Sequence, residues 1–279
     1  GDCDVLFVRL RFKLTQEVLA KAPNLKYILT ATTGLDHIDA AYFESRGGTI
    51  ISLRGETDFL GSIPSTAEHT WALLLALLKK IPASFEDVRN GNWNRNAFKG
   101  HNLSGKKIGI LGLGRVGKQV AHFAEAFGLE IGYYDVVPQT NSYTCFSNPE
   151  ALFGWADIIS IHIPLHEATV NFVNESLLQH CSSHAVLINT SRGAVWDEKC
   201  LAEMLKQNQI GGIATDVVSD EYHKENIKYN PLMQLPHSDY NIIITPHIAG
   251  ATYESMAMTV RTEVTDRRPR PAWPERPAT

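Results

Sequence analysis

The sequence lacks the features of a disulfide scaffold, a membrane protein or a nucleic-acid binder. Four cysteines occur in 279 residues. They are Cys3, Cys145, Cys181 and Cys200, and none are paired at metal-ligand or redox spacing. They read as reduced thiols, and no metal is implied. The longest strongly apolar run, Trp71 to Leu78, is far too short to span a bilayer. Lys and Arg total 26 against 30 Asp and Glu, a net charge of −4. No broad basic field is available to hold nucleic acid or an anionic membrane. The N-terminus has neither the basic start nor the apolar stretch of a signal peptide. A cytoplasmic protein with a small-molecule partner is expected. No internal repeat is evident.

What is present is ordinary for a globular chain: 44% hydrophobic and 20% charged residues. The length suggests about two domains. Short apolar runs alternate with helical patterns. Strands are expected at Val5–Val8, Tyr27–Thr30, Thr49–Leu53, Lys107–Leu111, Ile131–Asp135, Asp157–His162, Ala185–Asn189, Gly212–Asp216 and Ile242–Thr245. Several are β-branched and apolar at nearly every position, as in a parallel sheet covered on both faces. The alternation predicts an α/β doubly wound architecture. Ser65-Thr66-Ala67-Glu68 predicts a capping box opening a helix that Pro82 interrupts. Asn148-Pro149-Glu150 and Asp197-Glu198 predict two further helix starts. Residues 219–240 read as a long loop. Residues 267–279, with four prolines and four arginines, predict a disordered tail.

The most informative motif is Gly112-Leu-Gly114-Arg-Val-Gly117, between the strand Lys107–Leu111 and a helix over Arg115–Phe127. Such a glycine loop permits a tight turn, close backbone approach to a pyrophosphate, and close helix–strand packing. The helix N-terminus offers free N–H groups to phosphate. Asp135 ends the next strand, 18 residues after Gly117. A carboxylate there accepts from ribose hydroxyls and repels a 2′-phosphate, which predicts NAD rather than NADP.

Two further loops follow buried strands. Asn189-Thr190-Ser191-Arg192-Gly193 presents an arginine whose planar fork suits a carboxylate. Thr245-Pro246-His247-Ile248-Ala249-Gly250 presents a histidine suited to acid–base work near neutral pH. Of 11 histidines, His247 is singled out by position. Glu221 lies just past the strand ending at Asp216, where a carboxylate would stabilise a protonated imidazole.

These segments, together with Thr33-Gly34-Leu35-Asp36-His37-Ile38-Asp39, Ser65–His69 and His162-Ile163-Pro164-Leu165 with Thr169, occur in an order that strongly resembles the D-isomer-specific 2-hydroxyacid dehydrogenases, the group containing D-3-phosphoglycerate dehydrogenase. The resemblance runs from about Asp4 to Ser255. It implies an NAD-dependent oxidoreductase interconverting a D-2-hydroxy acid and its 2-keto acid. Arg192, Glu221 and His247 would be catalytic. Gly112, Gly114, Arg115, Val116, Gly117, Asp135, His162, Pro164, Thr169, Thr190, Asp216 and His247 would face the cofactor. Gly34, Leu35, Arg192 and Arg9 would face the substrate.

The implied fold is a Rossmann NAD-binding domain inserted into a smaller flavodoxin-like substrate domain, with the active cleft between them. Residues 1–66 would start the substrate domain, 67–250 would bind NAD, and 251–266 would form a return helix. A homodimer through the NAD-binding domain is implied. The family pattern has a strand and helix before the segment at Asp4, so the resemblance also implies an N-terminally truncated substrate domain. A further departure is Tyr222 where the family has proline after the glutamate. The truncated N-terminal part and the Pro/Arg tail leave a second reading: an NAD(H)-sensing binding protein or an inactive truncated member.

Overall fold

A computed structural model describes residues 2–10, 12–137, 139, 141–236 and 239–265. The expected tail, 267–279, lies outside the described residues. The chain divides into two compact units, one of Gly1–Glu56 with the segment from Tyr253 onward, the other of Thr57–Thr252.

The smaller unit holds a parallel sheet of three strands, β1 (Val5–Val8), β2 (Tyr27–Thr30) and β3 (Thr49–Ser52), in that order. Helices Gln16–Ala20 and Ala40–Ser45 connect the strands. Thr15 and Asp39 cap them, accepting from the N–H groups of Val18 and Tyr42. Leu19, Ile28 and Phe43 are fully enclosed at its core. The helix Tyr253–Thr265 also belongs to this unit, and the Met256 carbonyl accepts from Arg9 Nη2 at 3.3 Å.

The larger unit is a seven-stranded parallel sheet. Its strands are β4 (Lys107–Leu111), β5 (Glu130–Tyr134), β6 (Thr144–Cys145), β7 (Ile158–Ile161), β8 (Val186–Asn189), β9 (Gly212–Thr215) and β10 (Ile242–Ile244). The order is β10-β9-β8-β7-β4-β5-β6. The chain moves one way from β4 through β6, then crosses to β7 and continues the other way. That reversal is the topological switch point of a Rossmann fold. Strands β7, β8 and β9 are buried at every position. Alternate residues feed two separate cores. Ile159, Leu187 and Ile213 point to one, and Ile158, Val186, Ile188 and Ala214 to the other.

Several sequence expectations need correction. The short strand β6 carries no apolar run, since both its residues are exposed. The helix Ser65–Leu78 starts where expected, but Pro64 is its N-cap and no side chain caps it, so the capping box is absent. Lys80 then adopts a left-handed backbone, and Pro82 sits in the first turn of a new helix, Ile81–Arg89, where its missing N–H costs nothing. The region 219–240 is not all loop: Lys224–Ile227 is helical. The first unit ends at Glu56 rather than residue 66. The helix Thr57–Gly61 goes with the larger unit because Arg115 Nη1 bonds Leu60 O, and Gln119 Nε2 bonds Gly61 O and Ile63 O. Among the described residues no helix is long and apolar enough to cross a membrane.

Candidate active site

Strand register places the site. Tyr134 pairs with Leu111, Leu111 with Ile161, Ile161 with Asn189, Asn189 with Thr215, and Thr215 with Ile244. These six residues form one row across the C-terminal edge of the sheet. Neighbouring strands lie ~4.8 Å apart, so the row is roughly 24 Å long. Immediately beyond it come Asp135, Gly112, His162, Thr190, Asp216 and Thr245. Residues spread over more than a hundred positions thus emerge along one line.

The glycine loop has the shape the motif predicts. Gly112 has φ +92°, and a Cβ there would lie 2.9 Å from His162 O. A Cβ on Gly117 would come within 2.2 Å of Gly112 O, so helix and turn touch backbone to backbone. Beside Gly114 there is open space. Gly114 caps the helix Arg115–Ala126 without using a side chain, and the first intrahelical bond is Lys118 N to Gly114 O. The N–H groups of Arg115, Val116 and Gly117 are thus directed outward at the positive helix end. Burial lowers the Arg115 guanidinium pKa from its ordinary value. Asp135 binds the loop itself, Oδ2 accepting from Leu113 N at 2.7 Å and Oδ1 from Val137 N at 2.8 Å. An open cradle of N–H groups with a carboxylate one strand away fits a dinucleotide pyrophosphate and its ribose.

Next along the row, His162 Nε2 lies 2.7 Å from Ser160 Oγ, and burial pushes its pKa down to about 3, so the ring is neutral. Pro164 O accepts from the Thr169 hydroxyl at 2.7 Å. That hydroxyl also bonds the His166 backbone, so Thr169 organises the turn. The Thr190 hydroxyl lies 2.9 Å from that of Thr70. Asn189 braces the arginine loop: Nδ2 donates to Arg192 O, and Oδ1 accepts from Ser191 N and Oγ. Arg192 Nη1 donates to Ser191 O at 2.7 Å.

At the far end, Asp216 is fully enclosed and acts as a template for the histidine loop. Oδ1 accepts from Thr245 Oγ1 at 2.6 Å and Ile248 N at 2.9 Å, and Oδ2 from Ala249 N at 2.7 Å. The Asp216 carbonyl accepts from His247 N. Burial alone would raise this carboxyl. The bonds from His69, Thr245, Ile248 and Ala249 outweigh it and hold the carboxyl below its ordinary value. His247 sits on this template with φ 54°, an uncommon conformation for a residue with a side chain. Its Nδ1 meets Glu221 Oε1 at 2.5 Å, with both side chains largely enclosed. Nε2 has no hydrogen-bond partner among the described residues.

Sequence reasoning missed His69, whose Nε2 lies 3.0 Å from Thr245 Oγ1 and 3.3 Å from Asp216 Oδ1. The separation of His69 and Thr245, 176 positions, leaves no local signal for the pairing. In the smaller unit, Gly34 O accepts from Thr32 Oγ1, and Leu35 O from Ile38 N. The N–H groups of Gly34 and Leu35 make no hydrogen bond among the described residues.

A Rossmann sheet carrying a phosphate cradle at its switch point and a carboxylate–imidazole pair at one end defines a dinucleotide-dependent class of protein. Comparison with known proteins narrows it. Residues 71–249 match the family model described as D-isomer specific 2-hydroxyacid dehydrogenase, NAD binding domain. The chain belongs to this family, and that segment is its NAD-binding domain. A D-3-phosphoglycerate dehydrogenase of Methanocaldococcus jannaschii is 35% identical over 91% of this chain and 47% of its own length. A glyoxylate reductase of Thermofilum pendens is 36% identical over 91% of this chain and 74% of its own. The chain thus spans about half of the first relative and about three quarters of the second. A crystal structure of D-lactate dehydrogenase from Aquifex aeolicus, complexed with NAD and lactic acid, superposes with a TM-score of 0.81 and 31% identity, covering 94% of this chain and 81% of that one.

Proposed function

We propose that the protein interconverts a D-2-hydroxy acid and its 2-keto acid with NAD as redox partner. The observation that supports this most is the row of strand ends, which carries the phosphate cradle, Arg192 and the Glu221–His247 pair on one edge. Bound NAD supplies the site that accepts a hydride from the hydroxy acid, and its reduced form returns one.

The residues of this chain do the rest. The N–H groups at Gly114–Gly117 hold the pyrophosphate, and Asp135 accepts from the ribose hydroxyls. His162, Pro164, Thr169, Thr190 and Asp216 shape the remaining wall. Arg192 holds the substrate carboxylate and draws charge from the carbonyl oxygen. His247 Nε2 gives a proton to that oxygen in reduction and takes one from the hydroxyl in oxidation. Glu221 fixes the ring and balances its charge when protonated. In the smaller unit, Gly34 and Leu35 carry N–H groups without a partner among the described residues, suited to a carboxylate. Arg9 is the candidate for a further substrate anion, in keeping with a phosphoglycerate dehydrogenase-like substrate.

A homodimer through the NAD-binding domain is also proposed. The helix Ile81–Arg89 buries no residue of its own, and Ile81, Phe85, Val88 and Trp93 are exposed. A second copy covering these side chains removes them from water. Phe85→Glu should yield a monomer by sedimentation.

The test of activity is a panel of 3-phosphohydroxypyruvate, hydroxypyruvate, glyoxylate and pyruvate, each mixed with NADH and followed by loss of its absorbance. Turnover on at least one is expected. His247→Ala should cut kcat by ~10²–10⁴, the usual worth of general acid–base catalysis, with NADH affinity retained. Full activity in that variant ends the proposed mechanism. NADH binding without turnover across the panel favours a dinucleotide sensor instead.

A further inference from the structure

Glu198 is a buried carboxylate that no step above uses. It lies in the first turn of the helix Glu198–Lys206, after the N-cap Asp197, and only 7% of it is exposed. Its two oxygens hold two distant points of the chain. Oε1 accepts from Ser219 N at 2.8 Å, and Oε2 accepts from Asn230 Nδ2 at 2.6 Å. Asn230 passes the link on, its Oδ1 accepting from Leu232 N at 3.0 Å.

Ser219 and Asn230 are the two feet of the loop that carries Glu221. Between them the loop is folded on itself. Asp220 is left-handed with φ 58°, its Oδ2 accepts from Asn226 Nδ2 at 2.9 Å, and Lys224–Ile227 forms a helical turn. Such compact loops are held by their ends and their own side chains. Glu221 sits two residues from the foot at Ser219 and reaches His247 Nδ1 at 2.5 Å. The same foot also presses on the arginine loop: a Cβ at Gly193 would lie 2.2 Å from Ser219 N.

Burial raises the Glu198 carboxyl, opposed by its bonds from Ser219 and Asn230. An enclosed carboxylate is costly unless its bonds require it. Here the bonds pin both ends of one loop, and a side chain of that loop, Glu221, meets the acid–base histidine.

We propose that Glu198 is a positioning residue: by clamping Ser219 and Asn230 it holds Glu221 on His247 and so keeps Nε2 aimed for proton transfer. This rests on the dehydrogenase reading for its kinetic consequence but not for its geometry. Glu198→Ala should lower kcat by roughly 10–100-fold, the scale of hydrogen bonds to charged groups, with NADH affinity within about twofold because the phosphate cradle is untouched. Glu198→Gln keeps an acceptor for Ser219 N and should recover part of kcat. The double variant with Glu221→Ala should be no slower than Glu221→Ala alone, since both remove one connected arrangement.

A second readout needs no turnover. The Nδ1 proton of His247 should give a downfield ¹H resonance that is lost in Glu221→Ala and weakened or lost in Glu198→Ala. Asn230→Ala should weaken it too, and carries the test if Glu198→Ala fails to fold. An unchanged resonance in the folded Glu198 or Asn230 variant overturns the clamp. So does a multiplicative loss of kcat in the double variant. If the wild type turns over nothing on the panel while the resonance still responds to residue 198, the clamp stands and the dehydrogenase reading falls.

Discussion

His247 Nδ1 and Glu221 Oε1 lie 2.5 Å apart although 26 positions separate them in the chain. The contact fixes which ring nitrogen faces the protein and leaves Nε2 outward. An amide at 221 can still accept a hydrogen bond but cannot balance a protonated ring. Glu221→Gln is therefore expected to lower kcat by about 10–100-fold with little change in NADH affinity. A kcat within twofold of wild type in steady-state assays removes Glu221 from catalysis.

Asp135 offers a second measurement. Its carboxylate already holds Leu113 N and Val137 N, so it is fixed at the end of β5 and carries a charge that repels a 2′-phosphate. NAD is expected to bind at least tenfold tighter than NADP, and Asp135→Ser should narrow that ratio while weakening NAD itself. Equal affinities for the two dinucleotides in the wild type, by fluorescence titration of their reduced forms, refute the assignment.

Gly117 tests the cradle sterically. A methyl group there would meet Gly112 O at 2.2 Å, and backbone cannot swing aside as a flexible side chain would. Gly117→Ala should destabilise by about 1–3 kcal/mol and weaken NADH binding, whereas Gly114→Ala, with open space beside it, should cost stability only the smaller N-cap penalty of alanine against glycine, under about 1 kcal/mol, and act mainly on binding. Urea unfolding and NADH titration separate the two. Equal loss of stability in both variants contradicts this account.

His162 predicts a pH effect. Burial pushes its pKa to about 3, below the ~6.5 of an unfolded histidine. The unfolded chain therefore binds the extra proton first. The stability that the neutral ring contributes is complete above about pH 6.5 and is lost as pH falls toward 3, by at most about 1.4 kcal/mol per unit. His162→Asn should flatten this slope, read from urea midpoints between pH 7 and 5. Identical slopes in wild type and variant would rule out a neutral imidazole of lowered pKa at this position.

The sequence by itself determined whatever depends on neighbours along the chain. The largely apolar runs that became β7 and β8 were legible because a strand covered on both faces favours apolar side chains at nearly every position. Gly112–Gly117 was legible because turn, phosphate approach and helix packing each demand glycine at fixed spacing. Asn148 and Asp197 announced their helices because a cap acts three residues away. The order of the motifs pointed to the family before any geometry was known.

Tertiary structure alone decided which of these segments meet. One row of strand register brings Asp135, Gly112, Arg192 and His247 to a common edge, and register is a property of paired strands rather than of any one segment. His69 reaches Asp216, Thr190 meets Thr70, and Glu198 grips Ser219 and Asn230 only once the helices lie on the sheet. The helix Thr57–Gly61 joined the larger unit through bonds from Arg115 and Gln119 to its carbonyls and the segment after it, which no composition shift near residue 56 marks. Buried polar side chains must find partners wherever packing puts them, so their choice follows from the fold and leaves no periodic trace in the chain.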